Sequence, residues 1–279
     1  MSYKLDASGF DLEITIERIE DLKLHEETID SYLEELADAI SDSGIIKDPV
    51  IVDKDSKVVL DGMHRVTATG KLGYKNIPVC LVDYHDSKID LGSWCRFFED
   101  LEMDYVKNLC EELGFEIGDC DHSQIDEIIK DRKHDLLLVS QEECFTLDRD
   151  SETINEIFEA AIEIEEELRG EEYIPRYETE NDVMEKLKDN EVAILVPAAT
   201  KEEVIEVSSR GDVFSHKTTR HVIPARPMRI NVPLDLLEKD IEEADEEMTE
   251  FLKEREVEDL PPGSRFEGRE YEEELVIFK

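Results

Sequence analysis

The fold of this chain is decided by residues 58–68, which read Val58-Val59-Leu60-Asp61-Gly62-Met63-His64-Arg65-Val66-Thr67-Ala68. An apolar β-branched run ends at Asp-Gly, and residues able to begin a helix follow, so the stretch predicts a strand, a glycine turn and a helix. The first N–H groups of a helix attract anions, phosphate above all. His64 and Arg65 would add positive charge there, so we predict a phosphate-binding loop; the alternative is an ordinary turn with solvated charges.

The composition is strongly acidic, with 74 Asp and Glu against 32 Lys and Arg and a formal net charge of −42 over 279 residues. Such charge repels nucleic acid and anionic membranes, so we expect neither as a partner. A high-salt cytoplasm and an ordinary acidic solvated surface both account for it. The sequence has a hydrophobic fraction of 40%, no apolar run of membrane-spanning length and no apolar signal region at its start. We therefore expect a soluble, cytoplasmic protein.

The five cysteines are scattered along the chain and form no Cys-x-x-Cys pair. This pattern predicts buried free thiols in a reducing compartment rather than a zinc site or a redox dithiol. Cys120 and His122 lie close in sequence, but they have no partners at metal-ligand spacing, so we expect no metal site there.

Apolar periodicity predicts a compact α/β or α+β domain in the first 90 residues. The expected elements there are a strand at 12–19, a helix at 26–43, a hairpin of 49–53 and 57–61, a helix at 63–72 and a strand at 77–84. Farther along, we predict helices at 105–113, 151–169, 182–188, 200–209 and 236–255, and strands at 134–140, 144–148, 192–196 and 275–278. Thr200-Lys201-Glu202-Glu203 is a capping-box pattern.

Two further segments carry residues suited to chemistry. His25-Glu26-Glu27 opens a predicted helix. A carboxylate at a helix start commonly has no role beyond its favourable interaction with the helix dipole. Residues 215–221, Ser-His-Lys-Thr-Thr-Arg-His, combine hydroxyl and cationic groups that suit a small carboxylate or phosphate. The alternative for that segment is a surface loop.

These segments together resemble a known family. Residues 49–52, 59–65, 72–73 and 77–79 resemble the ParB/sulfiredoxin-like fold, and the chain to about Pro233 resembles the archaeal free serine kinases. In that family a His-Glu pair precedes the first long helix, Asp-Gly-His-His-Arg follows the hairpin, and Lys-Thr-Thr-Arg-His follows a Thr-Lys-Glu-Glu-Val helix. The matching positions here are 25–26, 61–65, 217–221 and 200–204.

The resemblance implies an α/β (α+β) fold in three parts. We expect a ParB/sulfiredoxin-like domain that binds nucleotide phosphates at 1–92, a second mixed α/β domain completing the substrate site at 93–234, and an acidic helical C-terminal extension at 235–279. The extension lies beyond the part that matches the family; the alternatives are a lid, an oligomer contact and a solvated appendage, of which the appendage is favoured.

The implied reaction is transfer of a phosphoryl group from ADP or ATP to the hydroxyl of free L-serine, which the resemblance links to cysteine biosynthesis. By position, Glu26 would be the general base, with His64 as a second catalytic residue. The donor phosphates would be held by Asp61, Gly62, Met63, His64 and Arg65, with Asp61 holding Mg²⁺ or orienting the loop. The substrate would be held by Trp94, Lys217, Thr218, Thr219, Arg220 and His221.

Met63 replaces the first histidine of the family motif, so donor binding changes if that histidine acts by its side chain and changes little if only its backbone N–H is used. Sulfiredoxin activity would need a reactive cysteine at the position of Met63, whose thioether cannot act as a thiolate nucleophile, so this activity is disfavoured. A ParB-type DNA clamp would need a basic surface. The remaining alternative is a non-catalytic nucleotide-binding ParB-like regulator. The residues leave the choice between ADP and ATP and the oligomeric state open, and the resemblance favours ADP as the donor.

Overall fold

The computed structural model describes residues 2–279, which form two compact units. The first unit comprises residues 2–90, 205–213 and 221–279, and the second comprises residues 91–204 and 214–220. No helix in the described residues is both long enough and apolar enough to cross a membrane.

The elements alternate irregularly along the chain. The strands are β1 (Tyr3–Ala7), β2 (Phe10–Arg18), β3 (Ile45–Ile46), β4 (Val50–Asp53), β5 (Val59–Asp61), β6 (Asn76–Val82), β7 (Asp90–Glu99), β8 (Glu116–Asp119), β9 (Leu136–Val139), β10 (Cys144–Asp148), β11 (Arg176–Thr179), β12 (Glu191–Leu195), β13 (Thr219–Val222), β14 (Ala225–Met228), β15 (Val232–Pro233), β16 (Val257–Leu260), β17 (Ser264–Phe266), β18 (Arg269–Tyr271) and β19 (Glu274–Phe278). The α-helices are α1 (Asp30–Ser43), α2 (Met63–Lys71), α3 (Met103–Glu112), α4 (Ile125–Asp131), α5 (Ile154–Gly170), α6 (Val183–Lys186), α7 (Lys201–Arg210) and α8 (Ile241–Lys253). Short 3₁₀ helices cover Ile19–Asp21, His122–Gln124 and Leu234–Glu238.

A five-stranded sheet in the order β1-β2-β6-β4-β5 organises the first unit. Strand β4 runs parallel to β6 and antiparallel to β5, which confirms the predicted hairpin. Buried β-branched side chains from these strands, including Val50, Val52, Val59 and Val79, pack with Val66 of α2. This packing fixes where β5 ends and α2 begins, and so it positions the Gly62 turn.

The C-terminal residues are integrated into the first unit and do not form a separate appendage. Strand β19 pairs in parallel with β14 and antiparallel with β16. Helix α8 buries Ala244, Met248 and Leu252, and its Asp245 carboxylate accepts hydrogen bonds from the hydroxyl of Thr15 and the backbone N–H of Ile16. The tail predicted at 235–279 as an acidic helical extension therefore contains four strands as well as helix α8. Strand pairing and the buried apolar stripe of α8 hold it to the first unit.

The second unit is built on a sheet in the order β11-β7-β12-β9-β10-β8, antiparallel throughout, with β13 pairing to β7. Its core includes Phe97, Leu137, Val139 and Leu195. The predicted pair of strands at 134–140 and 144–148 is confirmed by β9 and β10. The sequence pattern missed β7, β8, β11 and β13.

The cysteines differ from the prediction of five free thiols. Cys120 and Cys144 form a disulfide with a Cα–Cα distance of 5.1 Å, while Cys80, Cys95 and Cys110 are free and buried. The bonded pair is 24 residues apart and meets because β8 and β10 pair side by side, which spacing alone cannot reveal. Burial raises the pKa of each free thiol to about 12, so these three stay protonated.

We expect reduction of this disulfide to lower the free energy of unfolding by about 3 kcal/mol, because the bond closes a loop in the unfolded chain. Urea denaturation with and without dithiothreitol measures the difference. A Cys144→Ala variant should show the lower stability and no response to dithiothreitol. Five titratable thiols in the denatured wild type, with identical curves in both conditions, would contradict the assignment.

Candidate functional site

The turn between β5 and α2 has the backbone geometry of an anion site. Gly62 has φ of 97°, a left-handed conformation that favours glycine, and a Cβ built there would lie 2.7 Å from Nη2 of Arg65. Helix α2 begins directly after it, and no residue of its first turn is acidic. The unpaired first-turn N–H groups and the helix dipole therefore favour an anion at Gly62.

The Asp61 carboxylate is clamped between two arginines. Its Oδ2 accepts hydrogen bonds from Nη2 of Arg65 at 2.6 Å and from Nη1 of Arg226 at 2.7 Å. Burial alone would raise the pKa of Asp61, but Arg226 and Arg65 outweigh it and hold the pKa well below its usual range. Arg226 also donates to Glu273 at 2.8 Å. Asp61 is therefore ionised and its charge is compensated within the protein.

The Arg65 side chain braces the glycine turn by reaching back to the segment that precedes β4. Its Nη1 donates to the carbonyl oxygens of Asp48 at 3.0 Å and Pro49 at 2.9 Å. Together with the Asp61 bond, these contacts brace the glycine turn against the segment before β4. We missed Arg226 among the candidate site residues, although it lies in the basic stretch that follows the Lys217–His221 segment.

His64 connects the starts of two helices. Its Nε2 accepts the backbone N–H of Ile29, the N-cap residue of α1, at 3.1 Å, and its ring meets that of Tyr32 edge-on at 5.3 Å. A nitrogen that accepts carries no proton, so the imidazole is neutral and its proton is on Nδ1. This contact explains why α1 begins at Asp30, whereas the sequence predicted a helix from residue 26.

Glu26 therefore lies before α1, not in its first turn, and the helix dipole does not account for it. It is 9% exposed, and the neighbouring His25 is fully buried with Nδ1 donating to the carbonyl of Val59 at 2.8 Å. Burial lowers the pKa of His25 more than the Glu26 carboxylate raises it. The His25 ring lies 5.0 Å from that of His221, whose Nε2 is 2.7 Å from the Tyr84 hydroxyl.

A pocket of about 390 Å³ opens beside the glycine turn, within the range of small-molecule sites. Its lining consists of Tyr32, Leu36, Asp48, Pro49, Asp61, Gly62, His64, Arg65, Arg226, Pro227, Met228, Arg269 and Tyr271. Of the predicted donor-site residues, only Met63 is outside this lining. Its side chain packs against the core cluster that includes Val52, Val59 and Val66.

The second unit holds five of the predicted substrate residues. Nζ of Lys217 lies 5.1 Å from the centre of the Trp94 ring, and the Arg220 guanidinium lies 5.9 Å from it. Thr218 and Thr219 are buried, and the Thr218 hydroxyl donates to the Ser215 carbonyl at 2.7 Å. The sixth predicted substrate residue, His221, belongs to the first unit.

Tyr177 of strand β11 was not singled out by the sequence pattern. The centre of its ring lies 6.0 Å from Nζ of Lys217. Its hydroxyl donates to Glu165, the buried partner of Arg96. The second unit thus offers an aromatic and cationic cluster suited to a small carboxylate.

The protein's own side chains supply no multi-ligand metal site in the part of the chain that the structure describes. Among residues 2–279, no three His, Cys, Asp or Glu side chains group to hold an ion. Asp61, the predicted metal ligand, has its charge taken up by Arg65 and Arg226. Of the two roles considered for Asp61, the geometry favours orienting the loop.

We expect Asp61→Asn to lower the free energy of unfolding by about 1–2 kcal/mol at pH 7, because two partly buried guanidiniums lose their counter-charge. The pKa of Asp61 in the fold is below its ordinary 3.8, so this contribution is complete above about pH 4 and is lost as pH falls toward the folded pKa. Urea denaturation of both proteins from pH 7 to pH 3 measures it. Asp55→Asn, on an exposed turn, is the control. Equal stability of Asp61→Asn and wild type at pH 7 would contradict the clamp.

Comparison with known proteins agrees with this geometry. Residues 7–91 match the ParB N-terminal domain. The chain is 30% identical to an ATP-dependent L-serine kinase from Staphylothermus marinus over 233 residues, spanning 78% of this chain and 89% of the relative. It is 28% identical to the ADP-dependent L-serine kinase SerK from Thermococcus kodakarensis over 225 residues, spanning 78% and 90%.

Solved structures give the same result. A free serine kinase with one glutamate replaced by alanine, in complex with AMP, is 25% identical with a TM-score of 0.69 and covers 80% of this chain and 93% of its own. SbnI with a C-terminal truncation, from Staphylococcus aureus, is 18% identical with a TM-score of 0.69 over 86% and 96%, which shows a shared fold. On the identity and coverage of the Staphylothermus relative, the chain belongs to the L-serine kinase family.

Proposed function

We propose that this protein is a phosphotransferase that moves a phosphoryl group from ADP or ATP to the hydroxyl of free L-serine, giving O-phospho-L-serine. The observation that carries the proposal is the Gly62 turn at the head of α2, which lines a 390 Å³ pocket with His64, Arg65 and Arg226. Its N–H groups and positive side chains suit the phosphates of a nucleotide. The L-serine kinases among the relatives supply the acceptor.

Glu26 is assigned as the general base. A neutral alcohol is a poor nucleophile toward phosphorus, so the base takes the serine hydroxyl proton as the oxygen bonds to the terminal phosphorus and the bond to the leaving nucleotide breaks. The buried His25, held by the Val59 carbonyl, fixes the backbone from which Glu26 projects. A solved free serine kinase in which one glutamate is replaced by alanine still binds AMP, as expected when a glutamate serves the reaction and not nucleotide binding.

The donor phosphates are assigned to the first-turn amides of α2 around Met63 and His64, and to the cationic side chains of the pocket. His64 lines the same pocket, and the Ile29 N–H that its Nε2 accepts sets the orientation of the ring. Arg65 and Asp61 keep the glycine turn in shape through their mutual bond. Mg²⁺ would come with the nucleotide, because this ion commonly binds through substrate phosphates and retained waters.

The serine carboxylate is assigned to Lys217 and Arg220 of the second unit, with Trp94 and Thr219 beside them and His221 following in sequence. The Thr218 hydroxyl already donates within its own turn, so we assign Thr218 to shaping this segment. We place the reaction in the cytoplasm, where free serine and nucleotides occur together.

We expect phosphoserine when the protein is incubated with serine, Mg²⁺ and ADP or ATP, and at least a hundredfold loss of turnover in Glu26→Gln with nucleotide affinity retained. Product is measured by chromatography and affinity by calorimetry. Glu27→Gln, the same change at an exposed neighbour, is the control and should keep full turnover. Nucleotide binding without product from either donor, at low and high KCl, would favour the non-catalytic regulator. Equal turnover in Glu26→Gln and wild type would remove Glu26 from the mechanism.

The glycine turn makes a second prediction through a pair of neighbouring variants. Gly62→Ala should weaken ADP or ATP binding at least tenfold, because the new Cβ meets the Arg65 guanidinium and the left-handed φ is strained. Met63→Leu should bind nucleotide within twofold of wild type, because the Met63 side chain packs in the core. Calorimetry measures both. A large loss in Met63→Leu with unchanged stability would show that this side chain contacts the donor.

A further inference from the structure

The hairpin of β17 and β18 reaches the donor pocket from the C-terminal part of the chain. Arg269 and Tyr271 of β18 line the same pocket as Asp61, Gly62 and His64. These two residues lie beyond Pro233, where the sequence resemblance to serine kinases ends. The residues of the serine-kinase motifs therefore do not account for the side of the pocket that this hairpin forms.

The hairpin is held firmly enough to place a side chain. Tyr271 is 8% exposed and packs with Met228, Leu275 and Ile277. At the tip of the hairpin, Glu267 accepts hydrogen bonds from Arg229 at 2.6 Å and forms an ion pair with Lys47. Packing at the base and ion pairs at the tip fix β18 against the rest of the first unit.

Arg269 differs from the other two arginines of the pocket in its partners. Arg65 and Arg226 share the Asp61 carboxylate, and Arg226 also binds Glu273. Within residues 2–279, the Arg269 guanidinium forms no ion pair; it lies over the Tyr271 ring, 4.9 Å from the ring centre. An arginine that stays uncompensated in a chain of net charge −42, in a pocket beside an anion-binding turn, has its charge available for a ligand.

We propose that Arg269 binds a phosphate group of the donor nucleotide, with the Tyr271 ring as a positioning surface that orients the guanidinium plane. This inference rests on the proposed kinase function and adds a donor contact from the C-terminal hairpin. A guanidinium presents paired N–H donors that match phosphate oxygens, and stacking on an aromatic face limits its rotation without using those donors. Tyr271 is too buried to stack on the nucleotide base itself.

The test compares Arg269→Ala with Arg265→Ala in the full chain. Arg265 is on β17 of the same hairpin, is exposed and lies outside the pocket lining, so it matches Arg269 in type and location. We expect Arg269→Ala to weaken ADP or ATP binding about tenfold by calorimetry and to raise the donor KM similarly. The KM for serine and the melting temperature should stay at the values of Arg265→Ala. Adenosine, which has no phosphate, should bind all three proteins equally.

The outcomes separate the two proposals. Equal nucleotide affinity in both variants, alongside phosphoserine formation by wild type, overturns the role of Arg269 and leaves the kinase function standing. A weaker affinity of Arg269→Ala for adenosine as well as for ADP also overturns it, because the loss would then be independent of phosphate. No binding of ADP or ATP by the wild-type protein overturns the proposed function, and the role of Arg269 with it.

Discussion

The ion-paired Asp61 carboxylate is the interaction on which the site depends. It joins the end of β5 to Arg65 in the first turn of α2 and to Arg226 on β14, far along the chain. The Gly62 turn between them has a left-handed backbone. Glycine has more conformational freedom in the unfolded chain than any other residue. Two charged hydrogen bonds to one carboxylate remove that freedom. The amides that face the pocket are thereby fixed before any ligand arrives.

The pocket beside this carboxylate is rich in positive charge, whereas the chain as a whole is strongly negative. The protein has a net charge of −42, yet the pocket lining combines three arginines with two aspartates, Asp48 and the clamped Asp61. Interactions at short range and partly out of water are screened less than those among surface charges, so the local excess of positive charge persists in an acidic protein. This local positive charge favours a phosphate-bearing ligand at the pocket.

The C-terminal residues contribute both packing and chemistry to the first unit. Helix α8 covers the sheet through its apolar stripe, and Asp245 fastens it to β2. Arg255 donates to the backbone carbonyls of Arg229, Ile230 and Phe278, which ties the end of α8 to β19. The hairpin of β17 and β18 then extends from this base to the pocket. A region whose acidity suggests a solvated tail is therefore part of the functional unit.

The sequence by itself determined the local elements and the family motifs. The hairpin, the glycine turn, the start of α2 and the capping box before α7 follow from short-range backbone preferences that a few adjacent residues express. The tertiary structure alone decided which distant groups meet. The pairing of Arg226 with Asp61, the disulfide of Cys120 and Cys144, the inward Met63 side chain and the approach of Arg269 to the pocket depend on strand order and packing. Such contacts join residues tens to hundreds of positions apart, and no local periodicity encodes them.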